Sequence, residues 1–219
     1  MARILIVTIL VVLLAACTTV TGSGNPVNRS FDLDGFSRID ASHGAQVEVT
    51  RGEAFSVDVE VDDNAVSKLD VSVSGDTLHI GLKADSVVNV TFRVRVTMPE
   101  LTGVTVSGGS GLQGVLAGED LDLNVSGGSR ATLTGAAGRV TIDASGGSRA
   151  LLGDLAAGDV KLDASGGSHV EVNSSGRVSG QASGGSSVAV SGSPTSVDHA
   201  EFEDVPPKAD TGRQTHAIA

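Results

Sequence analysis

The tetrad Ser-Gly-Gly-Ser occurs five times, beginning at Ser107, Ser126, Ser145, Ser165 and Ser183, at spacings of 19, 19, 20 and 18 residues. A period near 20 residues confines a chain to architectures that stack one short unit on the next. The flanks identify the unit. Ahead of four tetrads run Leu121/Leu123/Val125, Val140/Ile142/Ala144, Val160/Leu162/Ala164 and Val178/Gly180/Ala182. Behind them come Ala131/Leu133, Ala150/Leu152, Val170/Val172 and Val188/Val190. Both sets alternate with polar residues, the period of a strand with one buried face.

Each coil therefore reads as strand, SGGS corner, strand and a second corner of small residues. The second corner carries Ala136-Ala137-Gly138, Ala156-Ala157-Gly158 and Ser174-Ser175-Gly176. Glycine at both corners is expected to supply positive φ and close stacking of backbones. The expected fold is all-β: a parallel β-helix or β-solenoid with coils of about 19 residues, preceded by a β-rich N-terminal half. Five coils at ~4.8 Å each would make a rod about 25 Å long. Six residues before the tetrads stand Asp120, Arg139, Asp159 and Arg177. A slip by one coil would set like charges together, so this column reads as register control; each exposed pair is worth only ~0.2–1 kcal/mol.

From Phe31 to about Val106 the pattern is also strand-like. Alternating stretches fall at 46–49, 56–61, 69–73, 77–82 and 88–98, with turn signals at Arg51-Gly52, Asp62-Asp63-Asn64 and Gly75-Asp76. Downstream of the predicted signal segment no helix is expected. Residues 199–219 contain Pro206-Pro207 and many charges, which predict a solvated tail.

Four landmarks carry a family resemblance: Phe36-Ser37-Arg38-Ile39-Asp40, the run 47–52 (VEVTRG), Asp76-Thr77-Leu78-His79-Ile80 and the run 94–101 (VRVTMPEL). With the Ser-Gly repeats, their order and spacing resemble the "putative auto-transporter adhesin head GIN domain" family, formerly a domain of unknown function, over about residues 31–195. The resemblance implies an all-β, β-helix-like fold on exported bacterial proteins, often lipoproteins. It supplies no catalytic residues. SGGS stands where runs of the SGSG type are commoner in the family. The expected domain plan is a signal peptide over 1–16, a lipidated cysteine with a flexible tether over 17–30, a β domain over 31–198 (divided at 106/107) and the tail.

The address is read from the first residues. Arg3 supplies a positive start, and Ile4 to Leu14 form an apolar run broken only by Thr8. Eleven residues is about half of what a helix needs to cross ~30 Å of hydrocarbon at 1.5 Å per residue, so this is a signal segment. It ends in Leu14-Ala15-Ala16-Cys17, which resembles the lipobox of bacterial lipoproteins. A thiol there can take a diacylglyceryl group, and cleavage before it frees an amine for a further acyl chain; two or three chains anchor stably where one does not. Cys17 is the single cysteine, so no disulfide forms within the chain. Thr18 in place of an aspartate favours the outer membrane over inner-membrane retention in a Gram-negative cell. Small residues with Gly22, Gly24 and Pro26 predict the flexible tether.

Composition narrows the partners. Removal of residues 1–16 takes the formal charge from −11 to −12, and such a surface repels phosphate backbones, which argues against nucleic acid. There is no Trp and no Tyr, and only five Phe. Aromatic anchors for proteins, bases or sugars are thus scarce. The expected partners are the membrane, through the lipid, and an unidentified protein or glycan met by polar ladders.

Candidate chemistry is thin. Two before each tetrad stand Thr105, Asn124, Asp143, Asp163 and Gln181. Asp143 and Asp163, stacked on neighbouring coils, are a weak divalent-cation candidate beside the plainer reading of two solvated carboxylates. Beyond the corners Arg130, Arg149 and His169 form a candidate strip for an anionic glycan or headgroup, or else neutralise the Asp column. Tetrad serines offer rows of hydroxyls, but Gly-x-Ser-x-Gly is lacking, and the five histidines form no acid–base set. No cofactor and no catalysis are expected. The functional reading is adhesion or envelope display, with an envelope spacer or stress-response lipoprotein as one alternative and a polysaccharide-acting β-helix enzyme as another.

Overall fold

The computed structural model describes residues 18–200; Cys17, the signal segment and residues 201–219 lie outside it. Strands make up 62% of the described residues and helix 3%, with no closed barrel among them. No helix among them is long and apolar enough to cross a membrane.

Two nine-stranded sheets face each other. Along the first sheet, each strand that precedes a tetrad pairs in parallel with its counterpart one repeat on: 103–106, 121–125, 140–144, 160–164, 177–182 and 196–200. In the second sheet the strands that follow a tetrad do the same: 111–117, 130–137, 149–157, 169–174 and 187–192. The predicted inward residues are buried, except Gly180 and Val190, which are half-buried. Leu121, Leu123, Ile142, Leu133, Leu152 and Leu162 are all at most 2% exposed, in one continuous core between the sheets.

The corners explain the tetrad. In four of the five, the N–H of the fourth residue reaches back to the carbonyl of the first, as from Ser129 to Ser126 at 3.2 Å, and in all five both glycines have positive φ. Two consecutive left-handed residues are the requirement of a type I′ turn. The first glycine also faces the coil below: a Cβ on Gly146 would lie 3.1 Å from the Gly127 nitrogen. Glycine acts differently at the opposite corner, correcting the expectation of positive φ there. Gly138, Gly158 and Gly176 do not have it. They are needed for room, since a Cβ on Gly158 would lie 2.6 Å from the Gly138 carbonyl oxygen.

Unequal spacing is absorbed in the second sheet. Strand Arg149–Ala157 carries one residue more than its partner between the paired positions 132/151 and 135/155, a bulge. The next coil is three residues shorter between 152/172 and 156/173, so Gly153-Asp154-Leu155 is left without strand partners on that side. Leu155 turns fully inward.

The N-terminal half is not a separate part, and the division at 106/107 is no structural boundary. Strands Arg38–Ala41 and Gln46–Arg51 pair in parallel with 103–106 and 111–117, forming a coil under the first tetrad coil. Its corner is Ser42-His43-Gly44-Ala45, with φ 60° at His43 and 78° at Gly44. This is a sixth corner of the same kind. The sequence held the signal: 39–42 reads IDAS, as do residues 142–145. Beneath it Thr77–Leu82 and Phe92–Met98 form a further coil, paired in parallel with 38–41 and 46–51. Antiparallel strands Leu69–Ser74, Ser56–Asp62 and Pro26–Phe31 then close the base.

Four expectations are corrected here. The stretch 88–98 is broken, because Asn89 turns left-handed at φ 51° and leaves Ser86–Val88 as a separate short strand. Asp63–Lys68 form a 3-10 helix where only a turn was expected. Residues 199 and 200 belong to the last strand and not to the tail. Finally, residues 18–30 are no tether. Thr19–Thr21 pair with Ser86–Val88 and Pro26–Phe31 with Ser56–Asp62. Gly22 permits the docking by close approach: a Cβ on it would lie 2.2 Å from the Asn89 carbonyl oxygen and 2.3 Å from Oδ2 of buried Asp62. A glycine read from sequence as flexibility is, in the fold, a contact.

Leu152→Asp should abolish the cooperative unfolding transition, because an unpaired charge enters the core, whereas exposed Asp154→Asn should leave it unchanged. Circular dichroism melts of the two variants check the register. His43→Gly should raise stability by about 1 kcal/mol, since a left-handed residue with a Cβ is replaced by one without; denaturant titration measures it.

Candidate binding face

The outer face of the second sheet carries the features that most resemble a site. Arg130, Arg149 and His169 begin successive strands and stand in register, Arg130 opposite Arg149 and Arg149 opposite His169. His169 is engaged: one ring nitrogen is 2.7 Å from the Ser187 hydroxyl and the other 3.0 Å from a Glu171 carboxylate oxygen. Neither Arg130 nor Arg149 has an ion-pair partner among the described residues. The expected neutralisation of Asp143 and Asp163 by this column is therefore not found. The two columns lie on different sheets, with the tetrad corner between them.

Lower on the face stand Arg93 and Arg95, of which only Arg93 forms an ion pair among the described residues. Arg93 approaches Glu60 at 3.4 Å. Hydrogen bonds from the Ser30 and Ser56 hydroxyls, and then the charge of Arg95, hold the Asp58 carboxyl below the usual carboxylate range. Between these and Arg130, beside Gly111, is a shallow depression of about 240 Å³ lined by Gln46, Glu48, Arg93, Arg95, Gln113 and Arg130. A second depression of about 590 Å³ opens where the bulge and the shortened coil part the strands. Thr132, Leu151, Gly153, Asp154, Glu171 and Ala189 line it. Neither was legible from the repeat, because both arise where the repeat is broken.

The remaining candidates resolve as follows. Asp143 and Asp163 are exposed register partners, and no group of three or more metal-ligating side chains is found among the described residues. Only the first serine of each tetrad reaches the surface. The fourth points inward: Ser148 donates to the Val125 carbonyl at 2.8 Å and Ser168 to that of Ala144 at 3.2 Å. These inner hydroxyls join one coil to the next. The charge column acts as register control in part through the backbone. Asp120 accepts the Arg139 N–H at 2.7 Å and Asp159 the Arg177 N–H at 2.8 Å. Arg177 also pairs with Asp198 of the last strand, two residues beyond its register partner Ser196.

The described residues thus form an all-β stack of parallel coils with glycine corners. The family model described as "Putative auto-transporter adhesin, head GIN domain" matches residues 35–194, and the chain belongs to that family. Among solved structures the fold is similar to a putative adhesin from Bacteroides fragilis (TM-score 0.67, 21% identity, 84% of this chain and 96% of that one). It is also similar to a putative adhesin from Parabacteroides merdae (0.53, 16%, 84% and 100%) and to a putative lipid binding protein from Parabacteroides distasonis (0.53, 16%, 83% and 96%). Among curated protein sequences none matches significantly.

If the two unpaired arginines make this face an anion-binding surface, the Arg130→Ala/Arg149→Ala double variant should elute from immobilised heparin at lower salt than the parent. The heparin stands for a sulfated or carboxylated glycan. Asp143→Asn/Asp163→Asn on the opposite sheet should elute no earlier. Salt-gradient elution of all three checks the assignment.

Proposed function

We propose that this protein is an extracytoplasmic lipoprotein, anchored through Cys17, whose body is a non-catalytic parallel β-solenoid serving adhesion or display at the cell envelope. The observation that carries the reading is the stacked pair Arg130 and Arg149, without ion-pair partners among the described residues and with Arg130 lining a depression, on the face of a protein whose net charge is −11. Cations left free on an acidic protein, in a column without the sign alternation seen elsewhere, suit recognition of an anionic polymer better than they suit stability. Membership of a family described as adhesin-like supports an envelope location.

The anchor follows from the lipobox-like Leu14-Ala15-Ala16-Cys17. Its sulfur would form a thioether to the diacylglyceryl part of a phospholipid, with the phosphorylated headgroup leaving and the thiol proton going to solvent. In a Gram-negative cell the outer membrane is the proposed site. Cys17→Ser should move the protein from the membrane to the soluble fraction and abolish incorporation of radioactive fatty acid. Adhesion further requires surface exposure: protease applied to intact cells should remove the body. Survival on intact cells, with cleavage only after the envelope is opened, would leave the spacer reading in place of adhesion.

A further inference from the structure

We propose that the corner of residues 83–91, together with the strand Thr19–Thr21, is the face this protein holds against the bilayer, so that the stack is clamped to the membrane without a tether. The proposal rests on lipidation at Cys17 and goes beyond it by assigning the membrane-contacting surface.

The first described residue is already part of the body. Thr18 donates its N–H to Asp85 Oδ2 at 2.7 Å and its hydroxyl to the same oxygen at 3.0 Å. Its carbonyl accepts the N–H of Asp85 at 3.0 Å and of Ser86 at 3.3 Å. Thr19–Thr21 then run in parallel register with Ser86–Val88. One peptide link, ~3.8 Å between Cα atoms, separates Cys17 from this docked segment. The headgroup layer of one leaflet is about 5–8 Å thick, as half the difference between the whole bilayer and its hydrocarbon core. A lipid on Cys17 therefore brings the corner into that layer, where a free tether of 13 residues would have left the body well clear of it.

The corner is built for such a place. Six corners on this edge of the stack are four-residue turns; this one, joining Thr77–Leu82 to Phe92–Met98, has nine residues. It also presents an exposed valine between exposed Ser86 and Asn89. Val88 is 43% exposed, one of three large hydrophobic residues so exposed among the described residues, and Val20, Val87 and Val90 are only partly buried around it. The charged side chains of the corner are occupied: Asp85 by Thr18, and Lys83 by Asp70 at 3.6 Å. An exposed valine among uncharged Ser86 and Asn89, next to the acylated residue, suits contact with the interfacial layer.

The test uses the full-length lipidated protein in vesicles of phosphatidylcholine and phosphatidylethanolamine containing a headgroup-spin-labelled lipid. Because the Cys17 sulfur is blocked as a thioether, an environment-sensitive fluorophore goes only to a new thiol: Val88→Cys or Ser86→Cys on the corner, or Val197→Cys on the last coil. Val197 lies seven coil steps from the corner's coil, roughly 34 Å away. The expected result is loss of most emission at positions 86 and 88 and little loss at 197. Inserting twelve Gly/Ser residues after Cys17, with an r.m.s. reach of about 19 Å, should restore emission at 86 and 88 while the protein still floats with the vesicles. Equal quenching at 86, 88 and 197, or no effect of the insertion, would overturn the clamp while leaving the anchor intact. If the parent fails to float, or the Cys17→Ser protein floats equally well, the lipidation reading falls and the clamp with it.

Discussion

Successive coils approach to hydrogen-bonding distance at their corners, and that approach is open only where no Cβ intervenes. At the tetrad edge the obstacle is twofold, since two consecutive residues turn left-handed and the first faces the backbone below. At the other edge it is space alone. Given both edges, the strands between them are held in parallel register, and the alternation of apolar and polar residues fills the core from both sheets. A chain with so few aromatic residues builds this core from Val, Leu, Ile and Ala, in a gap narrowed toward the tetrad edge where Ala144, Ala164 and Ala182 lie.

Inside that frame the hydroxyl of the fourth tetrad residue takes a role its sequence context hid. A serine beside glycines is easily read as a surface group. Here the turn rotates it inward, where it bonds a carbonyl of the preceding coil and offsets the cost of a buried polar group. Ser110 and Ser129 differ: the Ser110 hydroxyl accepts the Gly44 N–H at 3.1 Å, and that of Ser129 has no partner among the described residues. The carboxylates of Asp120 and Asp159 work likewise from outside, accepting backbone N–H groups as the chain turns into the next coil. Register is thus fixed through backbone donors as much as through ion pairs between side chains.

The proposed contacts lie where the repeat is broken. One residue added to one coil and three missing from the next part the outer face of the second sheet, and a second depression lies lower down beside Gly111. Arg130 lines that lower depression, and neither it nor its register partner Arg149 has an ion-pair partner among the described residues. At the base, the longest corner of its edge carries exposed valine beside the residue that precedes the body. A regular stack supplies rigidity, and its irregularities supply the places where another molecule can be held.

The sequence by itself determined the coil: its period, its glycine corners, which residues face inward and the alternating charge column, because each depends on local backbone chemistry repeated five times. It also carried, less visibly, the sixth corner at Ser42-His43-Gly44-Ala45, masked by a histidine where the other corners have glycine. Only the tertiary structure decided that residues 18–30 are strands and not a tether, since Gly22 and Pro26 acquire partners from segments 30 to 70 residues away. Only it could set the coil of residues 38–51 between one that follows it at 77–98 and another at 103–117. That order is a matter of which edges meet, and no local pattern encodes it.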